Sequence, residues 1–442
     1  MKWNELLSSQ RTGQKPVIST EPSRSAFEQD YDRIIFSHPF RRLQDKTQVH
    51  PLPEQDFVHT RLTHSLEVSS VGRSLGKRVG EEILRRHPEL NSNFSLFDFG
   101  AIVAAASLAH DLGNPPFGHA GEDSISDFFL HHPQGQSFKA LVSEEEWSDL
   151  IKFEGNAQGF RILNKNQYGL KLTFATLGAF TKYPCPSLFP QRDKSKRSQK
   201  KFGFFQSEKE IFKEVASQLE LIQASDYVSN RHPLAFLVEA ADDICYSIID
   251  LEDGCSLGLV SYEDARNLFE GVLTKNKSKL GKLPHLASQQ EKIGYLRALA
   301  IGDLMDECSS LFLDNEENIL SGKFDQALAD HCQSKNGLKE IIKVSVEKIY
   351  RARQVVEIEA AGHEVLPGLL EEFTKAGFYL MQRTQSRKYQ NLQLLLPEEI
   401  RAAILQQPDN IYLMLRQVID FISGLTDRNA ITLFRKIKGV SY

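Results

Sequence analysis

Cysteine is scarce in this chain. There are five, Cys185, Cys245, Cys255, Cys308 and Cys332, an odd number with no C-x-x-C pair among them. That pattern predicts a reduced, cytoplasmic protein whose cysteines serve as small core or surface residues. Long apolar runs are missing too. No stretch of about 18 or more uninterrupted apolar residues occurs, which argues against a membrane span. The opening Met1-Lys2-Trp3-Asn4-Glu5 leads into no apolar run, so no signal peptide is expected. Neither sign of charge dominates. Lys and Arg number 53, Asp and Glu 58, and the net charge of −5 gives no global pull toward nucleic acid or an anionic membrane. An anionic ligand must therefore be held by local basic groups. Internal repeats, long low-complexity tracts and a series of alternating strands with turn signals are also absent.

What is present reads as helix. At 442 residues and 41% hydrophobic, the chain can build one large core or two lobes. Leu62–Val79 places Leu62, Leu66, Val68, Val71, Leu75 and Val79 at three- and four-residue steps. Phe97–His110 is alanine-rich and nearly apolar all round, the pattern of a helix in the middle of a bundle. Leu234–Leu251 is a third apolar helix, with Gly254 as its expected stop. Asn156–Leu172 and Glu208–Gln223 read as further helices, with a proline-punctuated loop, Tyr183–Gly203, between them. The expected fold class is all-α, with at most a few short strands.

The sharpest chemical signal is Ala109-His110-Asp111-Leu112-Gly113-Asn114-Pro115-Pro116-Phe117-Gly118-His119-Ala120-Gly121-Glu122. A buried helix ends in an adjacent His-Asp pair, and Gly113, Pro115 and Pro116 turn the chain away. Adjacent helical side chains point about 100° apart, yet at a helix end both reach a cation placed off the terminus. An imidazole nitrogen and a carboxylate oxygen suit a divalent metal. Further ligand candidates are His64, near the start of an earlier helix, and Asp242, within the apolar helix Leu234–Leu251. A carboxylate in so apolar a segment is costly to bury unless paired or metal-bound. The spacing by itself leaves other readings open: a hydrogen-bonded His64, and Asp242 with Asp243 in a structural ion pair with an arginine.

These blocks resemble the HD-domain superfamily, and within it the deoxyguanosine triphosphate triphosphohydrolase family. The resemblance runs over most of the chain: Arg33 to Ser37, Phe40 to Gln44, Lys46-Thr47-Gln48-Val49, Thr60 to Val68, His110 to Glu122, Phe153 to Gly159, Glu239 to Tyr246, Asp250 to Asp253, and Asp420-Phe421-Ile422-Ser423-Gly424-Leu425-Thr426-Asp427. Val142–Trp147, the loop after Tyr183, and Val260–Asn336 match poorly. The resemblance implies an HD-domain helical bundle with additional helical lobes. It implies that His64, His110, Asp111 and Asp242 bind one divalent cation per subunit, drawn from manganese, magnesium, cobalt, nickel or iron. His119 and Glu122, spaced i, i+3 and so on one helix face, correspond to the family's catalytic dyad. The competing reading makes Glu122 a helix cap and His119 a loop residue. Arg61, three residues before His64, and Lys182 are implied phosphate contacts, with Tyr183 completing a Lys-Tyr pair. Gln48 and Tyr246 match positions that contact the deoxyribose, and Tyr246 shares a helix face with Asp242. Tyr246 would leave no room for a 2′-hydroxyl.

The reaction implied is a deoxynucleoside triphosphate (dNTP) plus water giving deoxynucleoside and tripolyphosphate. Residues 1–260 are expected to form the phosphohydrolase core, and 261–442 a C-terminal helical region packed on it and forming oligomer contacts. The resemblance also implies a homo-oligomer, commonly a hexamer, and an allosteric dNTP in some relatives. A basic cluster, Arg192, Lys194, Lys196, Arg197, Lys200 and Lys201, suggests single-stranded DNA or an effector nucleotide at 192–201, with Phe202, Phe204 and Phe205 as stacking surfaces. A solvated flexible loop is the plainer alternative. Two rival functions remain at this level: an HD phosphodiesterase or nuclease, and a non-catalytic dNTP or single-stranded DNA-binding regulator.

Overall fold

The computed structural model describes residues 1–13, 24–49, 59–165, 168–193, 195–383 and 386–440. Among these the fold is helical, and the strands form one short antiparallel pair, Gln223–Ser225 with Val228–Ser229, in which Gln223 faces Ser229. The all-α expectation holds.

Three helices build the frame of the site. Helix α1 spans Arg61–Arg86 and starts at a Thr60–Thr63 capping box, which satisfies two backbone N–H groups at its N-terminus. It runs a full turn and more beyond the expected Val79, ending in Arg85 and Arg86, whose charge suits a helix C-terminus. Helix α2, Leu96–Ala109, is buried at every position from Phe99 to Ala109, as its all-round apolar pattern predicts. The two helices approach closely because α1 carries glycines at four-residue steps on the facing side; a Cβ at Gly76 would lie 2.6 Å from the carbonyl oxygen of Phe99. After the turn Asp111–Phe117 comes α3, Gly118–His131.

Helix α4, Gly155–Asn164, is shorter than expected, because Lys165 is already extended and the following chain returns as Leu170–Thr173 to bridge Arg11. Helix α5, Phe174–Phe180, is the fully buried apolar stretch before Lys182. Helix α6 spans Pro233–Ser256 and passes through the expected stop at Gly254. Gly254 instead packs against Ile349, and Gly258, at φ 73°, takes the left-handed position that ends the helix. The segment 208–223 forms a helix over Lys209–Gln218 and then enters the strand at Gln223.

The apolar side chains form two cores. The first surrounds α1, α2, α5 and α6. The second takes Phe117, Ile125 and Phe128 from the α3 region, and packs them against α7 (Arg353–Met381) and α8 (Ile411–Ser423), with α9 (Asp427–Lys438) beside them. The turn Asp111–Phe117 thus crosses from one core to the other, and the functional residues lie along that crossing. No helix among the described residues is long and apolar enough to cross a membrane.

Candidate active site

The end of α2 carries His110 and Asp111 to the bottom of a cavity of about 590 Å³, within the range of small-molecule sites. His64 arrives from the first turns of α1 and Asp242 from the middle of α6. His64 Nε2 lies 3.3 Å from Asp242 Oδ1, and His110 Nε2 lies 3.5 Å from the same oxygen and 3.5 Å from Asp111 Oδ1. Ligand atoms of His64, His110 and Asp111 all fall within 4.8 Å of one another. The four sequence-predicted ligands therefore converge, from three distant segments. The spacing of His64, His110 and Asp111 is compatible with donors around one cation with bonds of about 2.0–2.2 Å, and Asp242 Oδ1 adjoins both imidazoles.

The chemistry of the donor set fits a divalent metal. A buried Asp111 and a half-buried Asp242 face two imidazoles, and the cluster draws positive charge. Burial lowers the pKa of His110, but Asp111 and Asp242 outweigh it and hold it up to about 9. Asp242 is held well below the usual carboxylate range: burial opposes this, and His110 and His64 overcome it. Hydrogen bonds from outside the cluster hold these side chains. His110 Nδ1 donates to the carbonyl of Ser107 at 2.7 Å, which leaves Nε2 for the cluster. Arg61 Nη1 donates to Asp111 Oδ2 at 2.8 Å, and Asn114 Nδ2 to Asp111 Oδ1 at 2.5 Å.

Across the cavity, His119 and Glu122 occupy the first turn of α3. His119 Nδ1 lies 2.8 Å from Glu122 Oε2; the imidazole is exposed to the cavity and the carboxylate is buried. Glu122 Oε1 also accepts from the Gly155 N–H at 2.6 Å, at the start of α4. Glu122 thus contacts the start of α4 with one oxygen and the His119 ring with the other. The hydrogen bond to Glu122 raises the His119 pKa above its ordinary value, against the lowering effects of burial and Lys201.

The remaining predicted residues also reach this cavity. Gln48, Arg61, Lys182, Tyr183 and Tyr246 line it. Gln48 Oε1 is buried with no hydrogen-bond partner among the described residues. Tyr246 lies beside Tyr350, with ring centroids 5.6 Å apart. Lys182 Nζ sits 3.4 Å from Glu239 Oε1. Glu239 also takes Arg197 Nε at 2.8 Å and Arg231 Nη1 at 2.6 Å, and despite its burial these cations hold it down to about 2. The structural ion pair considered for Asp242 and Asp243 therefore falls to Glu239, one helical turn earlier.

Among the described residues of 192–201, Asp193, Ser195 and Lys200 are exposed, Arg192, Lys196, Arg197 and Lys201 are half-buried, and Ser198 and Gln199 are buried. Arg192 donates to the carbonyls of Pro186, Ser187, Gln199 and Lys201. Arg197, Lys200 and Lys201 line the cavity, and Lys201 Nζ lies 3.0 Å from Glu154 Oε2 and 3.9 Å from Glu122 Oε2. Lys194 lies outside the described residues. The expected stacking surfaces are corrected: Phe202, Phe204 and Phe205 are 4%, 0% and 0% exposed and belong to the cores. Their spacing next to a charged loop looked exposed, but aromatic packing decides their direction, with Phe204 stacked on Phe212 and Phe205 under the Arg416 guanidinium.

Among the lining residues Tyr350 carried no sequence signal of its own, and Glu154 and Asn156 fell within the Phe153–Gly159 block with no role assigned to them. Tyr350 follows a π-helical turn at Ser345–Ile349, the kind of local irregularity that often marks functional sites. Its hydroxyl donates to Asp250 at 2.6 Å.

Comparison with known proteins agrees with this geometry. Residues 61–152 match the HD domain family and residues 330–436 the phosphohydrolase-associated domain family. Over its full length the chain is 43% identical to the whole of a deoxyguanosinetriphosphate triphosphohydrolase-like protein of Synechocystis sp.. It is 40% identical to a protein of the same description from Pseudomonas aeruginosa, covering 100% of this chain and 99% of the relative. It is 31% identical to the deoxyguanosinetriphosphate triphosphohydrolase of Yersinia pestis, covering 98% of each. The chain belongs to the HD-domain hydrolase family of the deoxyguanosinetriphosphate triphosphohydrolase-like proteins.

Proposed function

We propose that this hydrolase converts a deoxynucleoside triphosphate and water to the deoxynucleoside and tripolyphosphate. One observation carries the reading: His64, His110 and Asp111 group their ligand atoms, Asp242 Oδ1 adjoins both imidazoles, and His119 lines the same cavity. A divalent cation held by those four side chains would supply Lewis-acid polarisation of the α-phosphate and order the attacking water.

The chain's own residues do the rest. Arg61, Lys182 and Lys201 give the triphosphate its cationic partners, with Arg61 suited to two-pronged phosphate contact. Tyr183 walls the phosphate end. Gln48 offers to the sugar an oxygen that has no partner among the described residues, and Tyr246 closes the space beside the 2′-carbon. The leaving group is an alkoxide and needs a proton. His119, with Nδ1 bonded to Glu122, holds that proton at Nε2 and delivers it to the 5′-oxygen as the bond to the α-phosphorus breaks. The water oxygen ends on tripolyphosphate, the proton from His119 stays on the deoxynucleoside, and the proton released by the water restores His119 for the next turnover.

We place the chemistry in residues 1–260. The region 261–442 packs on that core, closes part of the cavity with Tyr350, and supplies contacts between subunits of a cytoplasmic homo-oligomer. The test is a panel of the four dNTPs and GTP with Mg²⁺, Mn²⁺ and Co²⁺, with and without a second dNTP as activator. Turnover of dNTPs and not GTP supports the reading. Turnover of none, alongside cleavage of a polynucleotide, would replace it with a phosphodiesterase.

A further inference from the structure

The block Asp420–Asp427 near the C-terminus has no part in the chemistry above, yet the structure sets it directly behind the site. It forms the end of α8 and the first residue of α9, with Thr426 as the cap. Asp427 is 2% exposed. Its Oδ2 accepts from the backbone N–H of Thr47 at 3.1 Å, and its Oδ1 from the backbone N–H of Phe117 at 3.1 Å. Thr47 precedes Gln48, and Phe117 lies two residues before His119. One carboxylate thus joins two walls of the cavity that are 70 residues apart in sequence.

The neighbouring contacts point the same way. Lys46 Nζ donates to the carbonyls of Asn114 at 2.5 Å and Ser423 at 2.8 Å. Arg42 Nη1 donates to the Gly424 carbonyl at 3.1 Å. The segment 42–47, the turn 114–117 and the turn 423–427 therefore meet in one hydrogen-bonded junction. Asp427 suits the place, since it opens a helix, where the backbone dipole favours a carboxylate.

Phe117 shows why such a junction is needed. Its φ of 66° is a left-handed backbone, unfavourable for a bulky aromatic residue and kept only where the surroundings over-determine it. Asp427 holds its N–H. Its ring is pressed by α7, where a Cβ at Gly362 would lie 3.0 Å from it. Phe117 is also the residue from which α3, with His119 and Glu122, begins.

We infer that Asp427 is a positioning residue that sets the distance between the nucleotide-holding segment at Gln48 and the acid–base pair His119–Glu122. This inference rests on the function proposed above, but its geometry can be tested without substrate. Asp427→Asn keeps one accepting oxygen and places an amide N–H against the other donor; Asp427→Ala removes both acceptors. In each variant, hydrogen–deuterium exchange of the peptides holding Thr47 and Phe117 is expected to rise at least tenfold, with α1 and α2 unchanged. The kcat for dNTP is expected to fall at least fivefold, with KM changed less than threefold and Mn²⁺ affinity retained. Smaller changes in exchange or in kcat in folded variants would overturn the inference. So would unfolding of both variants, which would make Asp427 a stability residue. Wild-type protein inactive on every dNTP would instead sink the proposed reaction, and the exchange result would still decide whether Asp427 couples the two segments.

Discussion

His119 and Glu122 stand one helical turn apart with Nδ1 and Oε2 separated by 2.8 Å, the ring in the cavity and the carboxylate behind it. The bond raises the His119 pKa above 6.5. A raised value means the proton-donating form persists below it and is lost as pH rises through it. The account expects kcat/KM to fall on the alkaline side of that raised value. Glu122→Gln should move this limb to lower pH, and histidine NMR should show the same displacement in the free protein. His119→Ala should cost about 10²- to 10⁴-fold in kcat with metal still bound. An alkaline limb that stays in place in Glu122→Gln would contradict the pairing.

Asn114 Nδ2 holds the oxygen of Asp111 that faces His110. Outer contacts of this kind typically change metal affinity by about 10- to 100-fold. Asn114→Ala should weaken Mn²⁺ binding, read by calorimetry, within that range. An unchanged dissociation constant would show that Asp111 is oriented by Arg61 alone.

Tyr246 shares its helix face with Asp242 and rests beside Tyr350. If its ring excludes the 2′-hydroxyl, Tyr246→Ala should narrow the preference for dGTP over GTP. A pocket that rejects an added hydroxyl by crowding achieves about 10², so the preference should shrink by up to that factor. Steady-state competition between the two nucleotides checks it, and a variant as selective as wild type removes the gate.

Arg161 is buried between Asp420 and Glu208, with its Nη2 2.8 Å from Asp420 Oδ2. Removing one partner of a buried pair costs about 3–5 kcal/mol, so Arg161→Ala should unfold at markedly lower denaturant. Burial acts to raise Asp420, but Arg161 and Lys165 override it and depress its pKa far below 3.8. A depressed carboxylate contributes its full stability above the unfolded value and loses it as pH falls through the folded one. Wild-type stability should therefore drop below about pH 3.8, and Arg161→Ala should show a shallower acid slope. Equal slopes would contradict the assignment.

His110 and Asp111 stood out in the sequence as a polar pair ending an apolar helix, but grouping them with His64 and Asp242 as candidate metal ligands rested on the family resemblance, because no local spacing joins segments so far apart. His119 and Glu122 were legible as neighbours on one helix face, but that spacing left a capping role for Glu122 open, and only the family resemblance suggested a catalytic pair. Lys201 was legible as a charge but not as a neighbour of Glu122, since nothing in a basic run says which way it folds. Asp427 and Thr47 lie 380 residues apart, and no local periodicity encodes such a contact. Phe202, Phe204 and Phe205 read as surface because they adjoin lysines; tertiary packing turned them inward. The α6 stop was missed because Gly254 and Gly258 are equivalent by local rules, and only the packing of Ile349 on Gly254 separates them.

Which bond breaks distinguishes a triphosphohydrolase from other phosphohydrolases. Purified protein, loaded with Mn²⁺, should be incubated with each dNTP and the products resolved by phosphorus NMR and chromatography of the nucleoside. The account predicts equimolar tripolyphosphate and deoxynucleoside, with oxygen from labelled water found on tripolyphosphate. Pyrophosphate with deoxynucleoside monophosphate, or orthophosphate with the diphosphate, would contradict it.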